Sequence, residues 1–333
     1  MRRASLVPLL NLSLGVAGLG WLLVRYGGGA LTLLRRGADV TLLALFVIAI
    51  AAALVLSALR WQILAHGLGI PSRLGALCAF RAAGQSAAAV LPGGRLGGEP
   101  LRAWYAIQDG MPAAAAVTTV AVDRLLEMAS SLVFAVGFGL VLARAQVPAL
   151  HQPIVGALVG AAALAIAIGV GIRRLRGAGL VVPLVRAVAE RWPAAGRHTA
   201  LAATVEQTAR RLLAARSRIA TAAAVGVLAD LLTLVQYRCL LAAFGLPSGW
   251  IDVVAAIFAA GAARMLPVPG AVGTVEAAEL WIFGLLGHSP EVGLAIGLVA
   301  RLRDVAWAGP GFVVLLARAL RPAPGPLASD RAR

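Results

Sequence analysis

The stretch that decides the fold occurs twice in the chain. It appears first as Leu91-Pro92-Gly93-Gly94, continuing through Arg95 and Gly97 to Glu99, and again as Leu266-Pro267-Val268-Pro269-Gly270, continuing through Gly273 to Glu276. In both copies a Pro-Gly pair is followed by five residues and a glutamate. The glycine of that pair lies 31 residues before an arginine, Arg124 in the first copy and Arg301 in the second. Upstream, an arginine opens each of two similar runs, Arg60–Ser72 and Arg238–Ser248, which both end in Gly-x-Pro-Ser. The same landmarks therefore occur twice, in the same order and at nearly the same spacing, which indicates an internal duplication.

The composition is that of a membrane protein. Of the 333 residues, 60% are hydrophobic and 13% are charged, and the mean hydropathy is +0.88. Several apolar stretches reach the roughly 20 residues that a helix needs to cross a bilayer, and they are too long and continuous for barrel strands. We therefore predict an all-α integral membrane protein, a polytopic bundle of about six to eight spans. The best candidates are Leu6–Val24, Val40–Leu59, Val117–Ala143, Pro153–Ile172, Ile219–Phe244 and Glu291–Ala317.

The first of these stretches resembles a signal peptide, because Arg2 and Arg3 precede it. Its length and the lack of a small-x-small cleavage site favour a spanning helix or signal anchor.

Charge asymmetry predicts the topology. The net charge is +16, all 30 basic residues are arginine, and ten of them lie in Arg173–Arg218 against two glutamates. The positive-inside rule places this link, and both termini, in the cytoplasm. This topology accounts for the basic charge without a nucleic-acid partner. The predicted organisation is one membrane domain over residues 1–320, with repeat one at about 40–145, the link at about 173–218 and repeat two at about 219–318. The tail 321–333 is predicted to be disordered and cytoplasmic.

Within the link, Leu201, Val205 and Leu212 recur at helical spacing. Two interpretations stay open, a cytoplasmic helical connector and an interfacial helix that lies on anionic headgroups.

Two further segments, Arg73–Met111 and Ile251–Gly287, each have an apolar arm, a Pro/Gly-rich break and a second, amphipathic arm. We interpret them as re-entrant hairpins or paired broken helices, one entered from each side of the membrane. The two repeats would then be inverted, as in transporters that bind substrate at broken helices. The residues that define the breaks are Pro92, Gly93, Gly94, Gly97, Pro267, Pro269, Gly270 and Gly273. The glycines allow positive φ and close backbone approach.

Charged residues occur inside two predicted spans. Asp123, Arg124 and Glu127 share one helix sector, and Arg301 is placed three residues before Asp304, near Arg303. A charge at the centre of a spanning helix costs roughly 2.5–3.5 kcal/mol on insertion scales. Two interpretations follow, ion pairs that fix helix packing and a site for an ion or a headgroup.

The two repeated glutamates allow two roles. Glu99 and Glu276 are expected in the first turn of the second arm, where the positive helix end favours a carboxylate. Alternatively, the pair lines a midplane cavity that suits a cationic headgroup or a proton. An anionic phosphate would suit Arg95, Arg102 and Arg124. Arg81 and Gln85, one turn apart, are predicted to face the same cavity.

Catalysis has little support in the sequence. There is no nucleophile with a credible base, the two cysteines and four histidines offer no metal-ligand spacing, and the glycines fit neither a phosphate loop nor a dinucleotide fingerprint. We predict no metal, no cofactor and no enzymatic activity.

The motifs together resemble one known family over about residues 5–320. Arg60-Trp61, the Leu91–Glu99 stretch with Arg102, the intramembrane Asp123-Arg124 and the Pro267–Glu276 stretch are similar to the lysylphosphatidylglycerol synthase transmembrane-region family. This flippase-like domain occurs in bacterial multiple-peptide-resistance proteins and in stand-alone proteins, one of them associated with hopanoid biosynthesis. The resemblance implies lipid translocation, and implies Glu99, Arg102, Asp123, Arg124 and Glu276 as site residues. The sequence ends after the membrane region, so lysyl transfer is not expected; the Asp at 123, where the family often has Glu, is a mild departure.

We therefore expect a multi-pass protein of the bacterial inner membrane that moves a phospholipid or another amphipathic lipid headgroup through a polar cavity. Arg95, Arg301 and Asp304 join the five implied positions as candidate substrate contacts. The alternative is a membrane partner that does not transport but serves an enzyme of hopanoid, glycolipid or aminoacyl-lipid synthesis. The sequence leaves open the lipid, the direction and energy source of transport, and the oligomeric state.

Overall fold

The computed structural model describes residues 6–35, 37–90, 97–144, 151–177, 179–192, 196, 198–266 and 268–320. Within these ranges the chain is helical and contains no strand. The twelve helices are α1 (Leu6–Leu34), α2 (Val40–Gly67), α3 (Leu74–Val90), α4 (Glu99–Gln108), α5 (Ala113–Arg144), α6 (His151–Arg176), α7 (Val181–Arg191), α8 (Thr199–Ala214), α9 (Arg216–Ala243), α10 (Trp250–Ala263), α11 (Thr274–Leu285) and α12 (Pro290–Ala319), with a 3-10 turn at Pro269–Ala271.

The prediction of a polytopic helical membrane protein is confirmed. Five helices, α1, α2, α5, α6 and α9, are long and apolar enough to cross a membrane. The sixth predicted span is also one continuous helix, α12, whose 30 residues carry charges in the middle. All six helices extend beyond the predicted apolar stretches at one end or both, by as much as ten residues at the end of α1.

Local sequence accounts for several helix starts. The side chain of Asp39 accepts hydrogen bonds from the backbone N–H of Thr41 and Leu42 at 2.8 and 3.1 Å, which caps α2. Proline follows the first residue of α4 and opens α12, where its missing N–H removes no helical bond.

The order of helices recurs along the chain. A 28-residue helix, a short helix, a break, a second short helix and a long helix follow one another as α2 to α5 and again as α9 to α12. The first helices of the two series run antiparallel, because Arg60 meets Gly226 while Gln236 donates to the carbonyl of Ala49. The predicted broken arms are thus present as short helices. Their inverted placement in a membrane stays a prediction.

Two buried clusters form most of the core. One joins α2 to α5 around Trp61 and Phe80, and a larger one, around Ile282 and Phe283, is formed mainly by α9 to α12 and also includes residues of α1, α2, α5 and α6. The two series also meet where α3 packs on α12, and a Cβ at Gly311 would collide with the carbonyl of Ala82. The bundle is therefore built around contacts between the two halves.

The predicted link contains α7 and α8. Val205 and Leu212 are buried on the inner face of α8, whereas Leu201 is exposed. Thr118 of α5 donates to the carbonyl of Val205 at 3.2 Å, so α8 packs on the bundle. The tail 321–333 lies outside the described residues.

Candidate functional site

The centre of the first helix series holds a buried carboxylate surrounded by arginines. Asp123, in the first half of α5, has no exposed surface. Its Oδ1 accepts from Nε of Arg60 at 2.6 Å, and its Oδ2 accepts from Arg81 at 2.7 Å and from Arg102 at 2.8 Å. Three helices, α2, α3 and α4, thus each deliver one guanidinium to one carboxylate of α5.

Two more carboxylates extend this arrangement. Glu127, one turn after Asp123, accepts from Arg81 at 3.0 Å and from Arg124 at 2.9 Å. Glu99 accepts from Arg102 at 2.7 Å. We call the set the first charged cluster; its members are Arg60, Arg81, Glu99, Arg102, Asp123, Arg124 and Glu127.

The first charged cluster has an excess of positive charge. Four arginines meet three carboxylates, and all of these side chains are at least four-fifths buried. The Nε atoms of Arg102 and Arg124 are buried and have no hydrogen-bond partner among the described residues. Arg102 also stacks on Trp61, with its guanidinium carbon 4.6 Å from the ring centroid. A buried donor without a partner is costly, so these atoms are ready to receive an acceptor.

A second set lies at the equivalent place of the second series. Arg301 of α12 holds Glu276 of α11 with two bonds, of 2.6 and 2.9 Å, and also lies 3.5 Å from Asp304. Asp304 accepts from Arg264 at 2.8 Å. These four residues form the second charged cluster.

Arg301 also fixes the backbone of the second break. Its guanidinium donates to the carbonyls of Gly270, at 2.7 Å, and Ala271, at 2.5 Å. Gly270 and Gly273 adopt positive φ, of 61° and 77°, as their spacing predicts. Gly273 lies so close to the carbonyl of Gly15 in α1 that a side chain has no room there. The break is thus shaped by glycine and held by an arginine from another helix.

The first break is described only from Gly97 onward. Gly98 has a negative φ of −88° and packs against the backbone of Gly84 in α3, which leaves no space for a Cβ. At Gly98, close backbone approach rather than an unusual φ explains the glycine. Pro92, Gly93, Gly94, Arg95 and Pro267 lie outside the described residues.

A line of polar residues runs between the two clusters along α9. Ser130 of α5 donates to Asp230, and farther along α9 the amide oxygen of Gln236 accepts from Arg303 at 3.0 Å and from Trp307 at 3.2 Å. We call Ser130, Asp230, Gln236 and Arg303 the polar column. On α2, Ala49 meets Gln236 and Arg60 meets Asp123. These two residues of α2 are about 16 Å apart along the helix axis, roughly half of a bilayer core.

The structure brings most of the predicted residues together, in two clusters rather than one. Glu99, Arg102, Asp123 and Arg124 share the first cluster, and the second holds Glu276, Arg301 and Asp304. Both glutamates lie in the first turn of their helices, as expected. Arg81 reaches Asp123, and Gln85 is exposed on α3; that both face one cavity stays a prediction.

Sequence reasoning missed other members. Arg60 was a landmark only, and Asp230, Gln236 and Arg264 received no role. The sequence contains a signal for Arg60, Asp230 and Gln236, because each is a polar or charged residue within one of the apolar helices α2 and α9. Among the described residues no three metal-ligating side chains form a group, and an open surface pocket by Trp250, Asp252 and His288 includes no member of either cluster.

Comparison with known proteins identifies the family. The sequence model described as Lysylphosphatidylglycerol synthase TM region matches residues 9–308, and the chain belongs to this family. No curated protein matches the chain. The match covers both charged clusters, the polar column and both helix series except the end of α12.

Proposed function

We propose that this membrane protein translocates lipids, moving the headgroup of an anionic phospholipid or another phosphate-bearing lipid across the bacterial inner membrane. The observation that carries the proposal is the excess positive charge of the first charged cluster inside a helical membrane bundle. Membership of the lysylphosphatidylglycerol synthase transmembrane-region family supports it. In this proposal the termini and the arginine-rich link are cytoplasmic.

The charge balance argues for a bound anion. Ion pairs that only hold helices together are most stable when their charges cancel, since an uncompensated buried charge is strongly destabilising. The first charged cluster instead keeps one more arginine than carboxylates. A headgroup phosphate near Arg102 and Arg124 would restore the balance and satisfy their free Nε donors.

The cations of the cluster suit phosphate. They are arginines, as are all basic residues of the chain, and the planar fork of arginine matches phosphate oxygens with two parallel bonds. Trp61 holds the plane of Arg102 by stacking. A phosphate would therefore meet groups whose orientation is already set.

The polar column supplies the route. A headgroup that leaves the first charged cluster meets Ser130 and Asp230, then Gln236 and Arg303, before it reaches the second cluster. Polar and charged residues at membrane depth are energetically costly, and where they occur they often mark such a path. The acyl chains would stay in the lipid, alongside the apolar outer faces of the spanning helices.

The test is headgroup translocation in proteoliposomes. Purified protein is given labelled phosphatidylglycerol, its lysylated form or a polyprenyl-phosphate lipid, and the label is read after quenching in one leaflet. We expect protein-dependent movement of at least one of them, lost in Arg124→Gln. Arg238→Gln is the matched control, because Arg238 is an exposed arginine near the opposite end of α9 from Gly226, where it donates to the carbonyl of Ser248 and stacks on Trp250, outside both charged clusters.

A negative result would change the conclusion. If the folded protein moves none of the three lipids, translocation is wrong, and the interpretation as a membrane partner of a lipid-synthesis enzyme takes its place. Equal loss in Arg238→Gln and Arg124→Gln would instead remove the role assigned to the first charged cluster.

A further inference from the structure

One buried acid has no place in either cluster. Glu279 of α11 has no exposed surface, and neither of its carboxylate oxygens has a hydrogen-bond partner among the described residues. Glu276, one turn earlier on the same helix and equally buried, is held by two bonds from Arg301. Two glutamates of one helix therefore have opposite surroundings.

The duplication makes the difference sharper. Glu279 follows Glu276 by three residues, as Arg102 follows Glu99. In the first series that position holds a cation that completes the contacts of Asp123. In the second series the same position holds an acid, so this residue does not simply repeat the packing role of its counterpart.

The ionic form of Glu279 is poorly supported where it lies. A carboxylate removed from water without donors costs far more than a neutral carboxyl group. The charged groups that face it are Arg264 from the end of α10 and Glu276 from its own helix. Arg264 is bonded to Asp304, and Arg301 of α12 is engaged by Glu276. Arg25, the one charged residue of α1, stacks near Tyr26 instead.

We propose that Glu279 is a proton-binding site and that its loading and release drive lipid movement from a proton gradient. The inference rests on the proposed function and adds its energy source. The proton binds a carboxylate oxygen from water on one side of the membrane and returns to water on the other.

The surroundings provide a way for the proton to act. When Glu279 is neutral, Arg264 stays on Asp304 of α12. Once Glu279 releases its proton, the new carboxylate attracts Arg264 away from Asp304. Arg264 directly follows the last residue of α10 and precedes the second break. Arg301 holds the other end of this break through the carbonyls of Gly270 and Ala271. When Arg264 changes its partner from Asp304 to Glu279, it therefore moves the second break. This break lies beside the second charged cluster.

Infrared spectroscopy tests the proton site without any transport. The protein in lipid nanodiscs at neutral pH is expected to show the C=O stretching band of a protonated carboxyl group. Glu279→Gln should lose this band, Glu279→Asp should move it, and Glu190→Gln, at an exposed position of α7, should leave it unchanged. A band that is absent from the wild type, or that survives in Glu279→Gln, overturns the proposal.

Transport under a pH gradient tests the coupling. In proteoliposomes with a gradient of one pH unit, the wild-type transport rate should change by up to about tenfold. A factor of ten corresponds to the free energy that one proton releases when it crosses a gradient of one pH unit. The rate of Glu279→Gln should not depend on the gradient. If the wild type moves lipid at a rate that ignores the gradient, coupling is wrong while translocation stands. If no lipid moves at all, both the proposed function and the coupling fail, and the infrared band alone decides whether Glu279 holds a proton.

Discussion

Nε of Arg60 donates to Oδ1 of Asp123 across 2.6 Å, and the two side chains are 2% and 0% exposed. The bond joins the second half of α2 to the first half of α5. On its other side Arg60 meets α9, where a Cβ at Gly226 would lie 3.1 Å from its Nη1. One arginine thus fixes three helices around the first charged cluster.

Asp123→Asn should strongly destabilise the protein. The amide keeps the shape of the side chain but leaves three guanidinium groups around a neutral residue. Removing one partner of a buried ion pair costs about 3–5 kcal/mol. The thermal unfolding temperature in detergent measures the loss. Asp109→Asn, at an exposed position after α4, is the control, and an equal unfolding temperature for both variants would contradict the role of the cluster.

Gly311→Ala should disrupt the contact between α3 and α12. The new methyl group would collide with the carbonyl of Ala82 and the hydroxyl of Ser86, both in α3. Overpacking of this kind costs about 1–3 kcal/mol. Gly309→Ala is the matched control, because nothing lies within 4 Å of its Cβ position, and it should be neutral or stabilising. The ratio of folded to aggregated protein and the unfolding temperature report both; similar behaviour of the two variants would argue against this close packing.

Arg301→Lys should loosen the second break although the charge is kept. Lysine cannot hold Glu276 with two parallel bonds while also donating to the carbonyls of Gly270 and Ala271. Hydrogen exchange should become faster at residues 268–273, and transport should fall. Arg211→Lys, at an exposed position of α8, serves as the control. Unchanged exchange in the break would mean that the glycines alone hold it.

Glu206 should make the link sensitive to acid. Its Oε2 accepts from the N–H groups of Leu180, Val181 and Val182 at the start of α7, at 3.1 to 3.3 Å. Burial opposes ionisation of this group, but these backbone bonds and Arg210 outweigh it and hold the pKa of Glu206 below its usual value. A carboxyl group with a lowered pKa stabilises the fold above its unfolded pKa, near pH 4, and loses that contribution as the pH falls further.

The measurement is hydrogen exchange of α7. Glu206→Gln should make hydrogen exchange faster in the first turn of α7 at neutral pH. The expected loss of stability in this turn is about 1 kcal/mol, as is typical when a helix cap is removed. The wild type should approach the variant only below about pH 4. Glu190→Gln should behave as wild type throughout, and a wild type that matches Glu206→Gln already at neutral pH would exclude the capping role.

Much of the candidate site could be predicted because its chemistry is local. The spacing from break to glutamate placed Glu99 and Glu276 in the first turns of α4 and α11. The i,i+3 spacing anticipated the pairs Arg124–Glu127 and Arg301–Asp304. Arg60 and Arg264 were missed because their carboxylates, Asp123 and Asp304, lie 63 and 40 residues away, and no local pattern reports such a distance.

The sequence by itself determined that this is a helical membrane protein with a duplicated, broken-helix design. Bilayer thickness and the need to satisfy backbone groups in lipid act on composition and run length, which can be read along the chain. Only the tertiary structure decided which charges meet. Glu276 and Glu279 are neighbours on one helix, equally buried, yet one is held by Arg301 and the other has no partner among the described residues. The reason is that packing of α12 on α11 brings Arg301 within hydrogen-bond distance of Glu276, whereas Arg264, which faces Glu279 from the end of α10, is bonded to Asp304 instead.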